Sequence, residues 1–269
     1  MSGMKAGCLA LLSGALLMGC ADTAPAPAPV AAFDGRELVE RVYAAAGGDL
    51  WVRPRSLYMR GSTTFYRVDA QGVEIPVATN DSHRMWRVYP QRKSSAHTAD
   101  GKVRIRSERE GAVVFDVAFD GARTHQWDAD TGAVVTTPEP ADSTRWSANF
   151  GFGVIRHALD PGYTVERLPD AVHQGRSVPY IDVIDPAGGR TRFAIDPEAF
   201  MLLSVAFATP RGWHERHYSA FFRKAGSNWL QPGEVHLYYD GKLQNRVRWE
   251  DYAVNADWPD ALFAMEALP

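Results

Sequence analysis

The 269-residue chain is 45% hydrophobic and 23% charged, with a net charge of −3 and two cysteines. That balance excludes a collagenous or broadly disordered chain, a disulfide framework and the basic stripe that wrapping nucleic acid requires. No apolar run reaches the roughly 20 residues of a spanning helix, which excludes a bundle of membrane-crossing helices.

Residues 1–20 read MSGMKAGCLALLSGALLMGC. One positive charge, Lys5, precedes an apolar run from Ala6 to Met18, the length of a signal-peptide core and too short to span. Gly19 and Cys20 follow, and Leu17-Met18-Gly19-Cys20 resembles the lipobox of bacterial lipoproteins. The resemblance implies alkylation of the Cys20 sulfur by diacylglycerol, cleavage just before Cys20, and acylation of the new amino group by a palmitate-type chain. Cys8 then leaves with the signal and Cys20 becomes the anchor, so the mature chain holds no free thiol. A multiply acylated Cys fixes a protein to a membrane without a spanning helix. Ala21, rather than Asp, follows the Cys, which favours a periplasm-facing outer-membrane lipoprotein over retention at the inner membrane.

Thr23–Ala32 alternates proline with alanine, an extended polyproline II tether of roughly 30 Å at about 3.1 Å per residue. The chain thus divides into a signal at 1–19, a lipidated Cys and tether at 20–33, and a domain at 34–269. In that domain Asp34 and Glu37 form a capping box. Leu38, Val42 and Ala46, with Val39 and Tyr43 beside them, make one apolar helical stripe, and Gly47-Gly48 ends it.

Beyond the helix the apolar period changes from helical to two. Leu57, Met59, Thr63 and Phe65 share a face, and Val103–Glu108, Val113–Asp120 and His125–Asp128 alternate in the same way. Further strands are read at 180–185, 190–196, 202–208, 217–223, 234–239 and 246–252, with Asp-Gly and Asp-x-x-Gly turns between neighbours. The fold class expected is mainly β with helices (α+β), a half-open antiparallel barrel wrapped around helices, with its sheet covered on one side only. Asp142–Leu159 breaks the period. It reads either as an irregular helical connection whose aromatics cap the barrel, or as a mobile plug over an apolar cavity.

Catalytic and metal motifs are mostly missing. His214-Glu215-Arg216-His217 has a spacing of three rather than four, and Tyr218–Phe222 reads as strand, where the two histidines would face opposite sides, so it is not read as a zinc motif. There is no nucleophile elbow, Gly151-Phe152-Gly153 lacks a third glycine, and Glu250-Asp251 sit on opposite strand faces. No catalytic residue, metal ligand or cofactor is therefore assigned. Aromatic side chains, by contrast, are plentiful: 8 Trp, 10 Tyr and 12 Phe. A curled one-sided sheet with that content could enclose an apolar pocket.

The arrangement resembles the periplasmic lipoprotein-carrier and lipoprotein-acceptor (Lol-type) superfamily. The likeness runs through the opening helix ending in Gly47-Gly48-Asp49-Leu50-Trp51, the Leu57…Gly61 strand and the Thr191–Phe207 hairpin with Asp196-Pro197. Tyr238-Tyr239-Asp240-Gly241, Val254-Asn255 and Leu262-Phe263 complete it. The resemblance implies a half-open barrel closed by helices that binds acyl chains inside. Two readings follow. In the first, the domain binds a lipid, acyl chain or other hydrophobic molecule, in lipid or lipoprotein trafficking. Its wall would include Phe115, Phe119, Trp127, Phe193 and Phe207, with Trp146, Phe150 and Phe152 at the mouth. In the second, the barrel is packed solid and its outer face meets an envelope protein partner. A cavity between the Asp34–Ala46 helix and the sheet separates the two. An unrecognised hydrolase would instead need a His, a carboxylate and a hydroxyl joined in one cleft.

Overall fold

In the computed structural model, which describes residues 33–90, 101–137, 146, 150 and 152–266, the capping signal opens helix α1, Gly35–Ala46. Asp34 Oδ1 accepts from the Glu37 amide at 2.8 Å and Glu37 Oε2 from the Asp34 amide at 2.9 Å, so two orphan donors of the first turn are satisfied reciprocally. Gly47 ends α1 at a φ of 136°, and a Cβ there would stand 2.7 Å from the Asn228 carbonyl oxygen. Leu38, Val39 and Val42 are wholly buried. The signal and nearly all of the tether lie outside the described residues. Phe33, assigned to the tether in the sequence reading, packs against Phe200 at 6.0 Å and under the Arg41 guanidinium at 3.9 Å.

After the short α2 (Asp49–Val52) come β1 (Ser56–Val68), β2 (Glu74–Val88), β3 (Lys102–Arg109), β4 (Ala112–Phe119), β5 (Thr124–Trp127) and β6 (Val134–Thr137). Following α3 (Gly153–Arg156) are β7 (Thr164–His173), β8 (Arg176–Ile184), β9 (Arg190–Ile195), β10 (Leu202–Thr209), β11 (Gly212–Ser219), β12 (Glu234–Tyr239), β13 (Lys242–Val254) and α4 (Asp260–Phe263). The 13 described strands form one antiparallel sheet, ordered β6-β5-β4-β3-β2-β1-β13-β12-β11-β10-β9-β8-β7. The chain therefore enters at the middle of the sheet, walks outward to the β6 edge, crosses to the β7 edge and walks back. Its last strand pairs with its first, Leu57 opposite Val254. Because β6 and β7 do not pair, the barrel is open.

This agrees with the expected fold class and adds three strands the periodicity did not show: β2, β6 and β7. In β2, pairing with β1 slips between Gly61 and Thr63 and again between Phe65 and Tyr66, so Asn80 and His83 face inward although their parity differs. Such slips erase a strict period of two and sharpen the local twist. β11 also begins earlier than the sequence suggests, at Gly212 rather than residue 217.

The outer face is not bare, which corrects the expectation of a sheet covered on one side only. Residues 258–263 fold across the backs of β2 and β3, where Leu262 and Phe263 cluster with Trp86, joined by Tyr58 and Trp258. Beneath them Arg104, 2% exposed, makes two hydrogen bonds to Asp116, at 3.0 and 2.7 Å, and a third to the Leu262 carbonyl at 2.8 Å. Arg104 and Asp116, read as outward polar positions, are thus a buried ion pair under the chain's C-terminal segment.

Candidate functional site

On the concave side the two halves of the sheet are filled differently. Over β7–β10, α1 completes a solid core in which Leu38, Val39 and Val42 cluster with Ile181, Val183, Phe193, Ile195 and Val205. Over β1–β4 and β11–β13 a cavity of about 530 Å³ remains. No residue of α1 lines it, so the space lies beside the helix rather than between helix and sheet.

The walls follow from strand parity. Leu57, Met59, Thr63 and Phe65 of β1, the face read from the sequence, all reach the cavity, as do Met85 of β2 and Ile105 of β3. Val235 and Leu237 come from β12, and Val247 and Trp249 from β13. Phe150 and Phe152, from between β6 and β7, line it as well. Phe150 sits edge-on to Phe207 at 5.1 Å, and Phe152 contacts Trp51 at 5.4 Å and Tyr218 at 5.0 Å. Trp229, 1% exposed, closes the floor; its indole donates to Gln231 Oε1 at 3.0 Å, which satisfies a polar group in an apolar place.

Three of the aromatics proposed from sequence, Phe115, Phe150 and Phe152, line this cavity. Five do not. Phe119 and Trp146 stack on each other at 5.7 Å in a separate cluster with Val103 and Val117. Trp127 lies on short β5 beside the open edge, paired with Val134. Phe193 is fully buried in the core with α1, and Phe207, 5% exposed, belongs to that same core. Residue type located them inside the protein, but which half of the sheet carries the space depends on where α1 packs. Cys20 lies outside the described residues.

The sequence reading missed the polar lining. Arg87, Arg109 and Arg216 all face the cavity, and no Asp or Glu is among its described lining residues. Arg216 donates to the Phe150 carbonyl and to the Tyr218 hydroxyl, both neutral acceptors. Burial lowers its pKa, and the nearby Arg87 charge adds to that, although a guanidinium stays protonated regardless. Burial also pushes Tyr218 up to about 12. The signal was present: Arg87 shares parity with His83 and Met85, and Arg216 with His214 and Tyr218, which puts charges on faces otherwise destined for the interior.

His83 donates to or accepts from Ser107 Oγ at 2.8 Å and lies on Trp249 at 5.1 Å. Burial takes its pKa down to about 4, too low for an effective general base at neutral pH, and no carboxylate among the described lining residues completes a triad. The cavity therefore joins two of the three groups a hydrolase would need. As the strand reading requires, His214 points inward and is fully buried, while His217 points outward to Glu215 at 2.6 Å.

No protein-family model and no curated protein matches the sequence. Solved structures do match. A domain described as an outer membrane lipoprotein-sorting protein, from Vibrio parahaemolyticus, superposes with a TM-score of 0.52 at 11% identity, over 86% of this chain and 97% of the other. The chain has the Lol-type open-barrel fold. A LolA superfamily protein from Nitrosomonas europaea gives a TM-score of 0.49 at 10% identity, over 86% and 98% of the two chains. At such identities the Lol-type likeness is one of fold, and the chemistry of the site rests on the side chains described above.

Proposed function

We propose that the chain is a cell-envelope lipoprotein, anchored through Cys20, whose half-barrel binds a lipid or acyl chain. The observation that carries this reading is the cavity itself: about 530 Å³, walled mainly by aliphatic and aromatic side chains from seven strands and roofed by Phe150 and Phe152. A volume of roughly 300–1,000 Å³ with a mostly apolar lining suits a small hydrophobic ligand. Removing apolar surface from water supplies the affinity, about 25 cal/mol per Å². The lipobox resemblance and the tether put the barrel within reach of a membrane. The lipoprotein-sorting name of the Vibrio parahaemolyticus neighbour makes trafficking of lipids or lipoproteins a suitable context, at the outer membrane by the residue after Cys20, with the inner membrane as the alternative.

Trp229 and Trp249 line the cavity and report on its occupation. Titrating purified protein with a long-chain acyl ligand should shift the tryptophan emission saturably. Native mass spectrometry of protein extracted from its own membrane should show a co-purifying lipid. A flat titration together with lipid-free protein would refute the reading and favour a packed interaction module.

A further inference from the structure

We propose that the ligand is a neutral acylglycerol, with its acyl chain along the apolar wall and its hydroxyl-bearing glycerol group held by Thr63 and Asn245 just inside the mouth of the cavity. This deepens the reading above and rests on it.

The wall changes character along its length. On β1 the lining runs from Leu57 and Met59, each 5% exposed, through Thr63, 1% exposed, to Phe65, 38% exposed. Phe65, Val114 and Phe115, each a third or more exposed, mark the mouth. Thr63 thus stands one inward position behind the mouth, with buried apolar wall deeper still. The flanking strands bring polar side chains to the same level. Asn80 of β2 is directly opposite Thr63, and Asn245 of β13 is opposite Phe65. Slightly deeper, His83 of β2 is paired with Ser107 of β3. All of these side chains line the cavity and together form a polar collar.

Part of the collar is already satisfied. His83 Nδ1 and Ser107 Oγ share a hydrogen bond of 2.8 Å, and Asn80 Oδ1 accepts from Arg109 at 3.1 Å. Thr63 Oγ1 and Asn245 Oδ1 differ: both are buried, with no hydrogen-bond partner among the described residues. Leaving such atoms unpaired is costly, and a valine would fill the place of Thr63 with the same shape and no hydroxyl to satisfy. The hydroxyl therefore calls for a partner that arrives from the cavity.

The chemistry of that partner follows from the two atoms. Water can serve both while the cavity is open to solvent, and a ligand that displaces water must replace its hydrogen bonds. A bare alkyl chain laid past Thr63 and Asn245 strands both. A carboxylate or an ester carbonyl offers acceptors only, which the Asn245 oxygen cannot use. A hydroxyl both donates and accepts, so it suits the threonine hydroxyl and the amide oxygen alike. Because Thr63 faces Val247 and Phe65 faces Asn245, Thr63 and Asn245 are diagonal neighbours on paired strands. Diagonal positions lie roughly 7–8 Å apart, a span that two long side chains and the adjacent oxygens of one glycerol group bridge.

The test compares monolauroylglycerol, methyl laurate and lauric acid by tryptophan emission on the full chain, below their aggregation concentrations. The monoglyceride should bind about tenfold tighter than the methyl ester, although the ester is the more apolar molecule, and tighter than the acid. Thr63→Val, which keeps the side-chain shape, and Asn245→Leu should each weaken monoglyceride binding about fivefold and leave the methyl ester nearly unchanged, whereas Thr63→Ser should retain the preference. Equal binding of monoglyceride and methyl ester to the wild type would overturn the proposal while leaving hydrophobic binding intact, and this comparison needs no variant to fold. Lauric acid binding as tightly as the monoglyceride would also overturn it, in favour of an anionic group. So would a preference that persists unchanged in both Thr63→Val and Asn245→Leu. Failure of all three amphiphiles would instead refute the lipid-binding reading beneath it.

Discussion

Asp116 holds two arginines at once, Arg104 on one oxygen pair and Arg106 at 2.9 Å, beneath a cover of Leu262 and Phe263. Removing one partner of a buried pair costs far more than the pair itself contributes, because a charge is left in a low-dielectric site. Asp116→Asn should therefore lower unfolding stability by about 3 kcal/mol, read from the urea midpoint. An unchanged midpoint would show that the C-terminal cover does not exclude water there. This pair also shows why residue-level reading fell short. Arg104 and Asp116 have the right alternation for an outer face, but nothing local to β3 or β4 says that residues 258–263 return to bury it. Phe193 and Trp146 lie outside the described lining of the cavity for a similar reason, since aromatic type signals burial and not which compartment. Arg216 lies between His214 and His217, and only its even parity with His214 and Tyr218 marks it as inward-facing.

At the scale of elements, much was legible. The capping box and the Gly47-Gly48 stop delimit α1, and the Leu57–Phe65 alternation chose the correct face. Local signals suffice there because capping and parity act over a few residues. β2 was hidden by its own irregularity, for slips opposite Gly61 and Phe65 mix the faces. Gly61 also marks a slip on the other side of β1, in its pairing with β13 between Arg60 and Gly61. A Cβ at this position would stand 1.7 Å from the Arg248 carbonyl oxygen and 3.0 Å from the Trp249 Cα, so β13 approaches β1 where only glycine fits. Gly61→Ala should force the two backbones apart and cost about 2–3 kcal/mol. Because Trp249 lines the cavity, acyl-ligand affinity should fall with stability in calorimetry and fluorescence. Full retention of both would mean the seam can relax freely.

For the whole molecule, buried histidines set the response to acid. His83 has its pKa lowered to about 4 and His214 to about 2, both chiefly by burial, and His173 and His236 are lowered as well. Each is neutral in folded and unfolded chains above pH 6.5. As pH falls from there, the unfolded chain takes up protons first, so stability is full above pH 6.5 and declines toward pH 4. His83 alone accounts for about 3 kcal/mol of that loss by pH 4. Asp182, held low by Arg192 and Arg190 against its own desolvation, loses its contribution only below the ordinary carboxylate range, which keeps the two windows apart. Urea midpoints measured from pH 7 to 4 should drop, and less steeply for His83→Gln. A flat profile would mean these rings are hydrated in solution.

The strand order has a temporal consequence. β1 lies inside the sheet, yet one of its two neighbours is β13, the last of the described strands in chain order. Until residues 242–254 pair with it, one side of β1 presents unmatched amides and carbonyls, a template for wrong pairing. Closing Leu57 against Val254 is also the most distant contact in the sheet, and such closures come late and slowly. Without that closure the sheet is two separate fans, β6 to β1 and β7 to β12, and β13 joins them into one wall.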